Sequence, residues 1–161
     1  MFLALLVGTG VLLCSLLCYA LATAVTVDVV VRVLPGDYAD PGFWKGVVVM
    51  TIVTLITAVT HLIEIALWAI VYLLCGELGT FERAFYFSAQ NYTALGYGDI
   101  TVSERWRLLG PLEAINGLLL FGVSTAVMFA VLNRLITTRL RRQHDHRRGG
   151  QESPAVEPSG D

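Results

Sequence analysis

Three long runs of this chain carry almost no charge, and a run of that kind has few ways to fold. Met1 to Val27 contains no charged residue. Gly46 to Gly76 contains one formal charge, Glu64, together with His61, and Leu112 to Ile136 is broken by Glu113, Asn116, Asn133 and Arg134. Each run reaches the roughly 20 apolar residues that a helix needs to cross a bilayer core. Composition agrees: 15% of the 161 residues are charged, where a soluble domain carries about 25%, and the mean hydropathy is +0.67. The sequence predicts an integral membrane protein of the all-α class with three transmembrane helices.

A cleavable leader is the competing reading of the first run, because Ala22-Thr23-Ala24 loosely resembles a small-residue cleavage site. The run lacks a positive n-region and far exceeds the about 7–15 apolar residues of such a leader. A retained helix over 1–33 is therefore expected. Cys14, Cys18 and Cys75 have the spacing of neither a zinc site nor a disulfide framework, and read as small packing residues.

Lys and Arg in short flanking segments set orientation. Arg139, Arg141, Arg142, Arg147 and Arg148 follow the third run, Arg32 and Lys45 flank the linker between the first two, and only Arg83, Arg105 and Arg107 lie between the second and third. This bias predicts a protein of the cell membrane with its N-terminus outside, its C-terminus in the cytoplasm, and residues 77–110 facing outward. The turn-rich stretch around Pro35-Gly36 and Pro41-Gly42 makes 34–45 a cytoplasmic linker. An outer helix over 46–76 and an inner helix over 108–137 follow from the second and third runs. The tail, 138–161, begins with a basic cluster at Arg139, Arg141 and Arg142 that suits anionic lipid. Beyond Gly149 it is rich in Gly, Pro, Ser and Glu and predicts disorder. Asp145 dilutes the basic run, and no nucleic-acid partner is suggested.

Between the second and third runs lies a stretch too short to cross the membrane and return as two helices. Its first part predicts a short helix over 80–93, with Thr80 as N-cap and Glu82 in the first turn, where the helix dipole favours an anion. The Gly-rich loop that follows, 94–99, has no regular structure to satisfy its backbone. Irregular backbone at membrane depth survives only when buried in protein or lining a water-filled cavity, so a re-entrant helix and loop is expected. Carbonyl oxygens turned toward one axis can replace the hydration shell of a cation. The alternating backbone this needs is one that glycine adopts freely, which gives Gly96 and Gly98 a reason. One chain supplies one wall, and closing a ring takes about four copies, so the expected unit is a homotetramer.

Thr93-Ala94-Leu95-Gly96-Tyr97-Gly98-Asp99 resembles the signature of the potassium-channel pore-domain family, whose filter is the familiar example of carbonyl coordination. The resemblance covers residues about 46 to 137: an outer helix, a short pore helix, the loop, and an inner helix. It implies potassium ligation by the carbonyls of Ala94, Leu95, Gly96 and Tyr97, with Asp99 at the outer mouth. It further implies Gln90 bonding behind the filter, and an aromatic cuff at Tyr86 and Phe87 that receives the Tyr97 hydroxyl. The implied activity is passive potassium permeation, with no enzymatic step and no cofactor beyond the permeant ion. One departure matters: the family usually has a second threonine where this chain has Ala94, so the innermost site lacks a ring of hydroxyls. Ala94 motivates a weakly selective cation channel as the alternative, with a non-conducting membrane scaffold as the more distant one.

His61 and Glu64 stand three residues apart on one face of the second run. Ionisable residues inside a membrane are functional candidates, here for pH sensing, gating or metal binding. The structural alternative is a buried polar pair that anchors the outer helix, through Asn116 or Glu113 of the inner one. Gly117 and Gly122 interrupt the inner helix as hinge or packing residues, and Ser124, Thr125 and Met128 are candidates to line a cavity.

Overall fold

The computed structural model describes residues 2–33 and 43–149. Among them are four helices and no strand: α1 (Phe2–Val33), α2 (Phe43–Leu74), α3 (Phe81–Tyr92) and α4 (Leu109–Gly149). Three of these contain apolar windows of 29 residues each, Phe2–Val30, Gly46–Leu74 and Leu109–Thr137. Each is roughly 43 Å of helix, enough for a ~30 Å hydrocarbon core with some tilt. The protein is an all-helical membrane protein with three candidate spans. The outward faces of the spans are apolar as well, Leu17, Leu21, Leu55 and Leu62 being exposed.

The helix ends follow from local chemistry. α2 stops where Gly76 takes a left-handed φ of +73°. Glu77 N–H then donates to Tyr72 O at 3.2 Å and Gly76 N–H to Leu73 O at 2.9 Å, the pairing of a Schellman cap. α2 begins at Phe43, so Phe43, Trp44 and Lys45 are helical residues ahead of the candidate span, which starts at Gly46. α4 continues well past residue 137 to Gly149. Its Arg- and Gln-containing continuation has good helix propensity and meets no breaker until that glycine; leaving the apolar core does not end a helix. The linker residues 34–42, the tail beyond Gly149 and the side chains of Arg139, Arg141 and Arg142 lie outside the described residues.

α3 lies against α2 and α4, and α1 packs on α4 and α2. The main core joins all four helices around Trp68, Tyr72, Ala84, Tyr92, Leu109 and Leu120. A smaller cluster, Val30, Val49, Val53, Val131 and Leu135, ties the three spans together at the other end. The backbones of α3 and α4 approach closely at Gly117. A Cβ built on Gly117 would stand 1.9 Å from the carbonyl oxygen of Tyr92, the last residue of α3. Backbone cannot yield as a side-chain tip can, so only glycine permits this crossing. Gly117→Ala should cost about 1–3 kcal/mol by overpacking, read as a lowered thermal midpoint of the detergent-solubilised protein. Gly122, with nothing within 4 Å of its Cβ position, should tolerate the same change.

Candidate functional site

α3 starts as its sequence predicts. Thr80 is extended and its side chain accepts from Arg83 N–H, and Glu82 occupies the first turn. The other end hands the chain to the Gly-rich loop. Thr93 is the C-cap; Ala94 N–H donates to Asn91 O at 2.8 Å and Leu95 N–H to Gln90 O at 2.8 Å. This is again the Schellman pairing, now with Ala94 in the left-handed position at φ +56°. The same position at the end of α2 holds glycine. Gly96 and Gly98 also have positive φ, +54° and +74°, so left-handed residues alternate at 94, 96 and 98.

The far end of the loop is clasped to the side of α3. Asp99 Oδ1 accepts from Gln90 Nε2 at 3.0 Å, and Asp99 Oδ2 accepts from the Tyr86 hydroxyl at 2.9 Å. The Gln90 bond, followed by that from Tyr86, holds the Asp99 carboxyl below the usual carboxylate range, and donating to Asp99 pushes the Tyr86 phenol up. Beyond the loop, Glu77 receives Ser103 twice, from its backbone N–H and from its hydroxyl, both at 2.7 Å. Between these anchors every residue from Thr93 to Asp99 is exposed, Leu95 by 56% and Tyr97 by 68%.

Beneath the loop, two buried polar clusters fix α3 against the spans and a third ties the spans to one another. Tyr72 of α2 donates its hydroxyl to Glu113 Oε2 at 2.8 Å, while Ser88 of α3 lies against Glu113 Oε1 and against Ile65 O. His61 bonds Tyr92 OH through Nδ1 at 2.8 Å and Ser124 Oγ through Nε2 at 3.1 Å. Ser15 of α1 donates to Glu64 Oε2 and accepts from Asn116 Nδ2 of α4.

Residues 59–134 match the family model described as "Ion channel". An alignment over 89 residues, covering 51% of this chain and 30% of the relative, shows 36% identity to the inward rectifier potassium channel Kirbac3.1 of Paramagnetospirillum magnetotacticum. Together the two matches support a potassium-channel pore-domain family for residues 59–134. The chain thus matches less than a third of that relative's length, and no solved structure matches it.

Within this pore domain, several sequence-predicted residues come together and others part. Gln90 and Tyr86 meet Asp99, so the Tyr86 hydroxyl is given to Asp99 instead of to Tyr97. Phe87 turns the other way, buried edge-to-face on Tyr72 with ring centroids 4.9 Å apart. His61 and Glu64 share a helical face but bind different partners, and Glu64 reaches Asn116 only through Ser15. Ser124 faces His61 and is buried, so it does not line an open cavity. Ser15, Tyr72 and Ser88 gave no sequence signal: a lone hydroxyl in an apolar run reads as packing until its partner is known.

Ala94 has a backbone reason. A β-branched residue is a steric outlier at positive φ, whereas alanine carries the smallest side chain with a Cβ. Ala94→Gly should stabilise the protein by about 1 kcal/mol and Ala94→Thr destabilise it by about 1–2 kcal/mol or more, measured by thermal unfolding in detergent.

Proposed function

We propose that four copies of this chain surround an axis and form a potassium channel, with α3 as re-entrant pore helix and 94–99 as the filter. The carbonyls of Ala94, Leu95, Gly96 and Tyr97 replace the ion's water, and Asp99 stands at the outer mouth. The observation that carries this reading is a loop anchored at both ends yet exposed along its whole length. Leu95 and Tyr97 are large groups that a finished structure would cover, and neighbouring copies cover them. Nothing lies within 4 Å of the Cβ positions of Gly96 and Gly98, so glycine serves the left-handed backbone there and not a shortage of room. α3 adds its dipole, whose negative end favours a cation below the loop.

The relative's name as a potassium channel supports the same ion. The charge bias sets the N-terminus outside and the C-terminus in the cytoplasm of the cell membrane, with Arg139, Arg141 and Arg142 on anionic lipid. Gly122 is the better hinge of the two inner-helix glycines, because Gly117 is locked against Tyr92 O. Ala94 favours one second reading, a cation pore of weak selectivity, since it offers no side-chain hydroxyl to the innermost ion.

Purified full-length protein in liposomes should pass potassium, with a reversal potential that follows the potassium gradient when sodium opposes it. Gly98→Ala, which puts a Cβ at φ +74°, should abolish that flux. A reversal potential indifferent to the two ions would establish the weakly selective pore instead, and no flux at all would leave a membrane scaffold.

A further inference from the structure

We propose that Glu113 keeps its proton in the folded protein, and that this proton positions α3 under the loop. Glu113 is 0% exposed. Its Oε2 lies 2.8 Å from Tyr72 OH, its Oε1 lies 2.5 Å from Ser88 Oγ, and Ser88 Oγ lies 2.8 Å from Ile65 O. Three oxygen–oxygen contacts need three protons. Tyr72 and Ser88 own one each, and a carbonyl has none. The third therefore sits on Glu113 Oε1. Glu113 donates to Ser88, Ser88 donates onward to Ile65 O, and Tyr72 donates to Oε2, so each contact is a complete hydrogen bond.

No cation is bonded to Glu113 among the described residues: Arg83 of α3 and Arg105 and Arg107 of the loop before α4 are exposed, whereas Glu113 is fully buried. α2 presents Tyr72, and its other ionisable groups in the span are engaged elsewhere, His61 with Tyr92 and Ser124 and Glu64 with Ser15. α3 presents Ser88 and, at longer range, Tyr92. The charged residues of α1, Asp28 and Arg32, pair with each other at 2.8 Å near its far end. Arg134 of α4 itself stands roughly 30 Å along the helix. Burying a carboxylate without a cation is so costly that the group stays neutral instead.

The consequence reaches the loop, and this part rests on reading the loop as the ion pathway. Without the proton, Glu113 Oε1 and Ile65 O compete for the single Ser88 hydrogen, and Ser88 must release either α4 or the α2 backbone. Ser88 lies two residues before Gln90, which holds Asp99 and caps the turn at Ala94. Glu113 is thus a positioning residue that acts through α3.

Infrared spectra of the full-length protein at neutral pH should contain the C=O stretch of a protonated carboxyl that Glu113→Gln removes. Ser88→Ala, which deletes the acceptor of that proton, should move the same band to higher frequency. Because the folded state holds a proton that the unfolded chain releases in the ordinary carboxylic range, the thermal midpoint should fall as pH rises. Glu113→Gln should flatten that dependence. Potassium flux in liposomes, each protein normalised to its own value at neutral pH, should drop severalfold at alkaline pH in the wild type and stay level in Glu113→Gln. A spectrum unaltered by both substitutions would place an ionised carboxylate there and overturn the proton. Equal alkaline losses in the two proteins would overturn the positioning role. Should the protein pass no potassium at any pH, the ion-pathway reading fails, while the spectra and midpoints still decide the proton.

Discussion

The last carbonyls of a helix have no partner within it, and something must bond them. In α3 the loop itself does so, through the N–H groups of Ala94 and Leu95. The turn that ends the helix and the first strokes of the loop are one structure, so the backbone at 94 cannot be altered for either purpose alone. The clasp at Asp99 depends in turn on Gln90 and Tyr86 of the same helix. Both ends of the exposed stretch are therefore referred to α3, and its geometry is only as good as the placement of that helix.

That placement is achieved with hydroxyls, an amide, an imidazole and carboxyls, without a cation among the bonds described. Ser88, Tyr92 and the close approach of the main chain at Gly117 hold α3 against α2 and α4. In the His61 cluster the order of donors is coherent. Ser124 gives its proton to the carbonyls of Leu120 and Phe121, so it accepts from Nε2–H, and Nδ1 accepts from Tyr92. A neutral ring completes the set, packed on Phe121 with centroids 4.4 Å apart. Networks of this kind are directional and lose much when one member is left unpaired in a low dielectric, which makes them suited to holding one arrangement instead of a range.

The spans, the cap at Thr80 and the Gly-Tyr-Gly loop were legible because each depends on local sequence: run length, one side-chain oxygen, two glycines. The polar clusters were only half legible. His61, Glu64 and Glu113 stand out as ionisable groups in apolar runs, but their partners are set by how helices cross, and crossing angles are not written in any one segment. Gly117 and Gly122 looked alike in sequence, and only the 1.9 Å approach of Tyr92 O separates them. Ala94 read as a lost hydroxyl. Its left-handed backbone adds a steric cause that no pattern of residue types announces.

α1 lies outside the family match, which begins at residue 59, yet it is not an appendage. Ser15 stands between Glu64 of α2 and Asn116 of α4, and without it a carboxyl exposed by only 1% and a fully buried amide would have no described link. Asn116 Oδ1 has no partner among the described residues even so. Removing Ser15 would strand further polar atoms beside Gly117, where the end of α3 lies against α4. Buried polar groups in adjacent helices make sense only when the helices are present together. The polar residues of the matched segment therefore already presuppose α1, which packs on α2 and α4 and is bonded to them at the level where α3 ends.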